Sequence, residues 1–135
     1  MKAGIALLFF FPGLVAAESG LAAEASQHTS LAVARQEAES NAKTPAGRRY
    51  EEKLIPGVED WLRKPLERCV KNVPKEEIAS FDAFVRIGAT GEAEEVLFGP
   101  ETAVARCVAP DFRDAKYPSP PEPSWWVKIE VHLTR

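Results

Sequence analysis

The last stretch of the chain, residues 125–133, alternates apolar and polar side chains with a period of two. One series consists of Trp125, Val127, Ile129, Val131 and Leu133, and the opposite series of Trp126, Lys128, Glu130, His132 and Thr134. This period is typical of a β-strand with one buried face. A lone strand is not stable in water, so the upstream sequence has to supply neighbouring strands and an apolar layer.

Two further strands are predicted ahead of it. Residues 81–87 place Phe81, Ala83, Val85 and Ile87 on one face. The glycine-containing stretch 88–91 then supplies turn residues, and residues 95–98 resume an extended pattern. This arrangement predicts a β-hairpin.

The first predicted helix begins at Thr44-Pro45, where a hydroxyl side chain precedes a proline. Its apolar stripe is spaced by three and four residues and consists of Val58, Trp61, Leu62, Leu66, Cys69, Val70 and Val73. Pro56-Gly57 is predicted to interrupt this helix, and Pro65 to kink or divide it. Asn72 and Pro74 are predicted to end it.

A second, shorter helix is predicted over residues 101–112, ended or bent by Pro110. The proline-rich residues 117–123 exclude a central strand there. The element order is therefore helix, strand, strand, helix, strand. The economical solution is an α+β domain over residues 44–135, a three-stranded antiparallel sheet with two helices on one face.

Residues 1–17 have the pattern of a secretory signal peptide. Lys2 precedes an apolar run over residues 4–14, and residues 15–17 are small enough for a signal peptidase. The alternative is an uncleaved membrane anchor. Residues 18–43 are rich in Ala, Ser, Glu and Gln, which predicts a flexible linker. We therefore expect a periplasmic protein that meets a membrane only if the first segment is retained.

The charge balance is mildly acidic. Lys2 is the only charged residue in 1–17, so the 17 basic and 20 acidic residues of the chain become 16 and 20 after cleavage. A basic surface for nucleic acid is not expected from such a balance.

The chain has two cysteines, Cys69 and Cys107. In an exported protein this even number predicts one disulfide. Closing the loop between them is expected to stabilise the domain by about 4 kcal/mol. The alternatives have less support, because there is no C-x-x-C pair for redox chemistry and two cysteines with one histidine are too few for structural zinc.

Residues 84–97, a strand, a glycine turn and a second strand, resemble the hairpin of TonB-type carboxy-terminal domains. Cys107-Val108 and residues 117–121 are similar to the helix and aromatic-Pro-x-Pro passage that follow in that family, in the branch with a cysteine in each helix. The resemblance covers residues 66–133 and implies the same element order. It also implies a protein partner in the cell envelope.

The chain departs from TonB-type energy transducers in its amino-terminal part. Those proteins keep a membrane anchor and a long proline-rich spacer, through which a motor complex pulls on outer-membrane receptors. Here the predicted linker has about 26 residues, and a coil of that length has an end-to-end distance of roughly 30 Å. We therefore expect a stand-alone relative that does not transmit force.

Catalysis is not expected. His28 falls in the predicted linker, and His132 lies on the polar face of the last strand without a nucleophile beside it. Glu92, Glu94 and Glu95 cluster at the hairpin, where a solvated turn is expected rather than a metal site. No cofactor motif is present.

Protein binding is the leading hypothesis. Phe84, Leu97 and Trp126 are predicted to share a sheet face that the two helices leave uncovered, which suits a protein contact. The alternative is that Trp126 packs on the prolines of residues 118–123. The last strand is also predicted to be an edge, open to an extended peptide or to a second copy in a homodimer.

Two other functions remain in competition with an interaction domain. One is a secreted inhibitor of a hydrolase such as a lysozyme or protease, which purified protein would reveal by depressing such an activity. The other is an enzyme, for which the sequence offers no nucleophile or base.

One measurement tests both the predicted export of the chain and the predicted disulfide. Intact mass of the protein from its natural compartment should correspond to a chain starting near Glu18, with no thiol open to alkylation until reductant is added. A full-length mass with two free thiols would contradict both expectations.

Overall fold

The fold is a three-stranded antiparallel sheet covered by helices on both faces. The computed structural model describes residues 29–134, so the predicted signal peptide, linker residues 18–28 and His28 lie outside the described residues. In chain order the elements are α1 (Leu31–Ala42), α2 (Pro45–Lys71), a 3-10 turn (Lys75–Glu77), β1 (Phe81–Ile87), β2 (Ala93–Gly99), α3 (Ala103–Asp114) and β3 (Trp125–Val131). The α+β class and the order from α2 onward are confirmed.

The strands lie in the order β2-β1-β3, and both pairs are antiparallel. In the central strand, Phe84 is opposite Leu97 of β2 and Lys128 of β3. The third strand, which follows α3 in the chain, therefore joins the hairpin at β1. Both β2 and β3 are left as edges of the sheet.

The prolines inside the helices do not interrupt them. The predicted interruption at Pro56-Gly57, division at Pro65 and end at Pro110 are wrong, while a kink or bend at Pro65 or Pro110 stays a prediction. α2 is continuous through Pro56 and Pro65, and α3 continues past Pro110 to Asp114. An interior proline costs about 3 kcal/mol. Pro56 and Pro110 are exposed, so solvent can reach the carbonyls that they release, while the opposite sides of both helices are buried in the core. Tertiary packing outweighs the local penalty.

α2 starts and ends where the sequence predicts. The Thr44 hydroxyl accepts a hydrogen bond from the Gly47 N–H at 2.9 Å, with Pro45 in the first turn, and Asn72 caps the other end. Such a cap satisfies one of the backbone donors that a helix start leaves free.

One face of the sheet forms the main core with α2 and α3. Val85 and Val127 of the sheet, Leu54 of α2 and Phe112 of α3 belong to it, each at most 1% exposed. The predicted disulfide between Cys69 of α2 and Cys107 of α3 is present and ties the two covering helices together. A disulfide fits an oxidising, exported location.

The opposite face of the sheet is covered by α1, which corrects the linker predicted over residues 18–43. Ala34 and Ala38 of this helix are 0% and 2% exposed and pack on Phe84 and Trp126. Leu31 also lies against Gly99 of β2, where a side chain would collide with it. The small side chains let α1 approach the sheet closely enough to be held by tertiary contact rather than by its own propensity. The domain therefore begins at Leu31 and not at Thr44.

The segment between α3 and β3 is fastened by two buried phenols. The Tyr117 hydroxyl donates to the Phe112 carbonyl at 2.6 Å, and the Tyr50 hydroxyl donates to the Pro118 carbonyl at 2.7 Å. Gly91 at the hairpin turn has φ of +91° and lies so close to the Tyr117 carbonyl that a Cβ would stand 2.1 Å from its oxygen. Only glycine suits both conditions.

The close approach of α1 gives a stability prediction. Ala34→Leu is expected to lower the free energy of unfolding by about 1–3 kcal/mol, because the added atoms have no room against the sheet. Ala32→Leu is the matched control, since Ala32 lies on the exposed side of the same helix and should change stability by less than about 0.5 kcal/mol. Urea unfolding of both variants measures the difference. Equal effects would mean that α1 does not pack as described.

The phenols give a second prediction, because Tyr50 and Tyr117 are the two tyrosines of the chain. Burial raises the pKa of Tyr50 to about 12 and raises the pKa of Tyr117 further still. A raised pKa favours the neutral phenol, so this stabilisation is complete below about pH 10 and is lost as pH rises through the folded-state values. Ultraviolet titration should show little tyrosinate at about pH 11 in native protein and ordinary ionisation near pH 10 in urea. Native ionisation near pH 10 would contradict the burial.

Candidate functional site

With both faces of the sheet covered, the outer edge of β3 is the accessible part of the strand. Residues along a strand alternately direct their backbone N–H and C=O groups toward one neighbour and the other. Leu133, just beyond β3, exchanges hydrogen bonds with the Ser80 hydroxyl on the β1 side, at 2.8 and 3.3 Å. By this alternation the backbone groups of Lys128, Glu130 and His132 point away from β1, toward the open edge.

Asn41 closes one end of this edge. Its side-chain amide donates to the Trp126 carbonyl at 3.0 Å, and that carbonyl belongs to the outward series. Asn41 is at the end of α1, directly before the turn at Lys43 and Thr44 that leads into α2. Helix α1 thus borders one face of the β3 edge and α2 the other. The unblocked edge runs from Lys128 to His132.

On the α2 face, the edge is bordered by an apolar groove of about 450 Å³, which we call the edge groove. The apolar side chains of its lining are Ile55, Val58, Leu62 and Leu66 from α2 and Ile129 and Val131 from β3. The rest of its lining is polar and exposed, and consists of Glu59, Arg63, Glu130 and His132. The helical stripe that packs α2 on the sheet therefore extends past the last strand and leaves an apolar wall there.

On the α1 face, the same edge opens into a cleft of about 560 Å³, the α1-side cleft. Its charged and titratable lining residues are Glu39, Lys43, Glu51, Lys128, Glu130 and His132. Lys128 pairs with Glu130 at 3.1 Å, and His132 lies 3.4 Å from the other Glu130 oxygen. The two sides of the β3 edge thus differ in chemistry, apolar on one and charged on the other.

Carboxylates outnumber ammonium groups in the α1-side cleft. Hydrogen bonds from Lys128 and then His132 lower the pKa of Glu130, and the same bond to Glu130 raises the pKa of Lys128. Burial raises the pKa of Glu51, and the charge of the Lys128 ammonium only partly opposes this shift. Within residues 29–134, Glu51 and Glu39 take part in no ion pair. The Glu51 carboxyl is therefore a partly desolvated anion without a close cation.

The uncovered face predicted for Phe84, Leu97 and Trp126 does not exist. The structure brings the three together, but α1 lies over them: Phe84 and Trp126 are 0% and 3% exposed, and Leu97 is half-buried against the same cluster. Two cations also stack on these rings. The guanidinium carbon of Arg35 lies 5.0 Å from the centre of the Phe84 ring, and that of Arg86 lies 5.6 Å from the centre of the Trp126 ring. Trp126 packs with Ala34 and Ala38 of α1, and the alternative contact with the proline segment stays a prediction.

The residues weighed for catalysis lie apart. The His132 side chain is 78% exposed, and Glu94 and Glu95 of the hairpin both pair with Arg86 at 3.0 Å. Glu92 is bound by the Thr90 hydroxyl, which is the main cause of its lowered pKa. Among residues 29–134 no group of His, Cys, Asp and Glu is arranged to hold a metal ion.

Sequence reasoning predicted β3 as an edge but missed the residues that shape it. Glu39 and Asn41 fall in the segment predicted as linker, and Glu51 lies in the predicted first helix, so no pattern in the sequence connects them with the last strand. A signal was present in the spacing of Leu31, Ala34 and Ala38, one helical face made of small residues.

Within the described part of the chain, no helix is both long enough and apolar enough to cross a membrane. Comparison of the chain with protein-family models, with curated proteins and with solved structures finds no match.

Proposed function

We propose that this chain is an exported, periplasmic protein-interaction domain that receives an extended segment of an envelope protein along the outer edge of β3. The observation that carries the proposal is the stretch from Lys128 to His132, whose outer edge pairs with no strand among residues 29–134 and has the edge groove beside it. An added strand gains main-chain hydrogen bonds from such an edge, and a groove beside it supplies side-chain contacts.

The proposal keeps the TonB-type relationship as its structural analogy. What supports it is the helix, hairpin, helix, strand order together with a disulfide that joins the two helices. We propose a role without force transmission, because α1 is packed into the domain instead of serving as a spacer. The domain then acts as a scaffold or adaptor.

The charged side chains of β3 are consistent with an edge that accepts a matching strand and resists non-specific pairing. Open strand edges attract non-specific pairing, and lysines placed along them reduce it. Lys128 and Glu130 pair with each other at 3.1 Å on the α1 face, so they leave the outward backbone groups free for a strand that matches. An edge made only of apolar residues would aggregate instead.

A proline at Glu130 tests the proposal. Glu130→Pro removes an N–H that points outward, so the β1–β3 ladder keeps its hydrogen bonds while an added strand loses one and meets the ring. Capture of a partner from periplasmic extract should be about tenfold lower for Glu130→Pro than for Glu130→Ala. Glu130→Ala is the matched control, since it removes the same carboxylate and keeps the N–H, so the comparison isolates the loss of that N–H.

Urea unfolding of Glu130→Pro establishes that the variant is folded. Equal capture by the proline and alanine variants would place the interaction elsewhere on the domain. Absence of any partner under mild crosslinking would count against an interaction role altogether.

A further inference from the structure

The two sides of the β3 edge share Ile55, Glu130 and His132 but differ in the rest of their lining, and this difference indicates the chemistry of the segment that the edge receives. This inference rests on the proposed strand addition. Residues of an added strand that lie opposite Lys128, Glu130 and His132 direct their side chains to the α1 face. Those opposite Ile129 and Val131 direct theirs to the α2 face. Each partner position therefore meets one defined environment.

On the α2 face the environment is apolar. The two partner residues opposite Ile129 and Val131 would enter the edge groove, where the nearest helix side chains are Ile55, Val58 and Leu62. Branched aliphatic side chains suit this place, because they fit an extended backbone and remove the wall from water. A polar side chain here would lose its hydration without gaining a partner.

On the α1 face the environment has an excess of negative charge. The Lys128 ammonium interacts with four carboxylates, which are Glu130, Asp82, Glu39 and Glu51. Asp82 lies directly opposite Glu130 across the β1–β3 pair. Among the described residues, Lys43 and His132 are the other basic side chains that line the cleft, and His132 lies against Glu130, so Glu39 and Glu51 remain without a close ion pair. An incoming cation would therefore find carboxylates that Lys128 does not neutralise, whereas an incoming anion would be repelled.

The length of the segment is limited at the Trp126 end. Because Asn41 occupies the Trp126 carbonyl, an added strand cannot continue its hydrogen bonds past Lys128 on that side. We infer that the β3 edge selects an extended segment of about five residues, with aliphatic side chains at its second and fourth positions and a cationic side chain on the intervening, α1-facing position.

Two synthetic peptides test the inference on the folded protein, acetyl-Thr-Val-Lys-Val-Thr-amide and its counterpart with Glu in place of Lys. The order of side chains in each peptide is the same when read from either end. Each peptide therefore presents the same side chains whether it adds parallel or antiparallel to β3. The Lys peptide should bind at least about tenfold more tightly at low salt, and the preference should shrink as salt is added. In amide exchange measured by NMR, bound Lys peptide should slow the N–H groups of Lys128 and Glu130 and leave those of Ile129 and Val131 unchanged.

The protein variant Glu39→Gln/Glu51→Gln provides the matched change on the receiving side. Both substitutions keep the shape of the side chain and remove its charge, so the preference for Lys over Glu should fall several-fold while the amide protection pattern stays the same. This result would assign the preference to the α1-side cleft.

The outcomes separate the inference from the proposed function. Equal binding of both peptides with protection of Lys128 and Glu130 would overturn the charge preference and leave strand addition standing. Binding without that protection, or no binding at millimolar peptide, would overturn strand addition at this edge and the inference with it. An unchanged preference in the double glutamine variant would overturn the assignment to Glu39 and Glu51.

Discussion

The central strand is buried on both faces, and the rest of the architecture depends on that constraint. Ala83, Val85 and Ile87 face α2 and α3, while Phe84 faces α1, and all four are fully buried. A strand with large apolar groups on both faces needs a layer on each side. The first layer consists of the amphipathic helices α2 and α3, which a disulfide joins. The second layer is α1, whose buried positions are alanines.

That difference explains which parts of the fold the sequence predicts. Period two in residues 81–87 and 125–133 and the stripe of α2 indicate strands and a helix because large side chains mark the buried face. α1 escapes the same reasoning, because its buried positions are Ala34 and Ala38. An alanine-rich helix packed tightly on a sheet can have the same composition as an alanine-rich flexible linker. The two differ only in the residues that they contact.

The prolines and the aromatic face were misjudged for a related reason. Local rules predict an interruption or kink at Pro56 and Pro65 and an end or bend at Pro110, yet packing on the core keeps both helices continuous. Trp126 and Phe84 were predicted to be exposed because only two helices were predicted, and a third one covers them. The candidate site could be predicted only as an edge strand, since its lining residues Asn41, Glu39 and Glu51 reach β3 through the turn between α1 and α2.

The same helix that removes an aromatic surface creates a selective edge. If α1 were a linker, Trp126 would lie open beside the last strand, and any apolar partner could cover it. With α1 in place, Asn41 closes the strand edge at Trp126, and Glu39 and Glu51 line the same cleft as Lys128. α1 thus covers the broad hydrophobic surface and leaves a short strand edge for hydrogen bonding, with an apolar side and an acidic side. Selectivity in such a site comes as much from the partners it repels as from those it attracts.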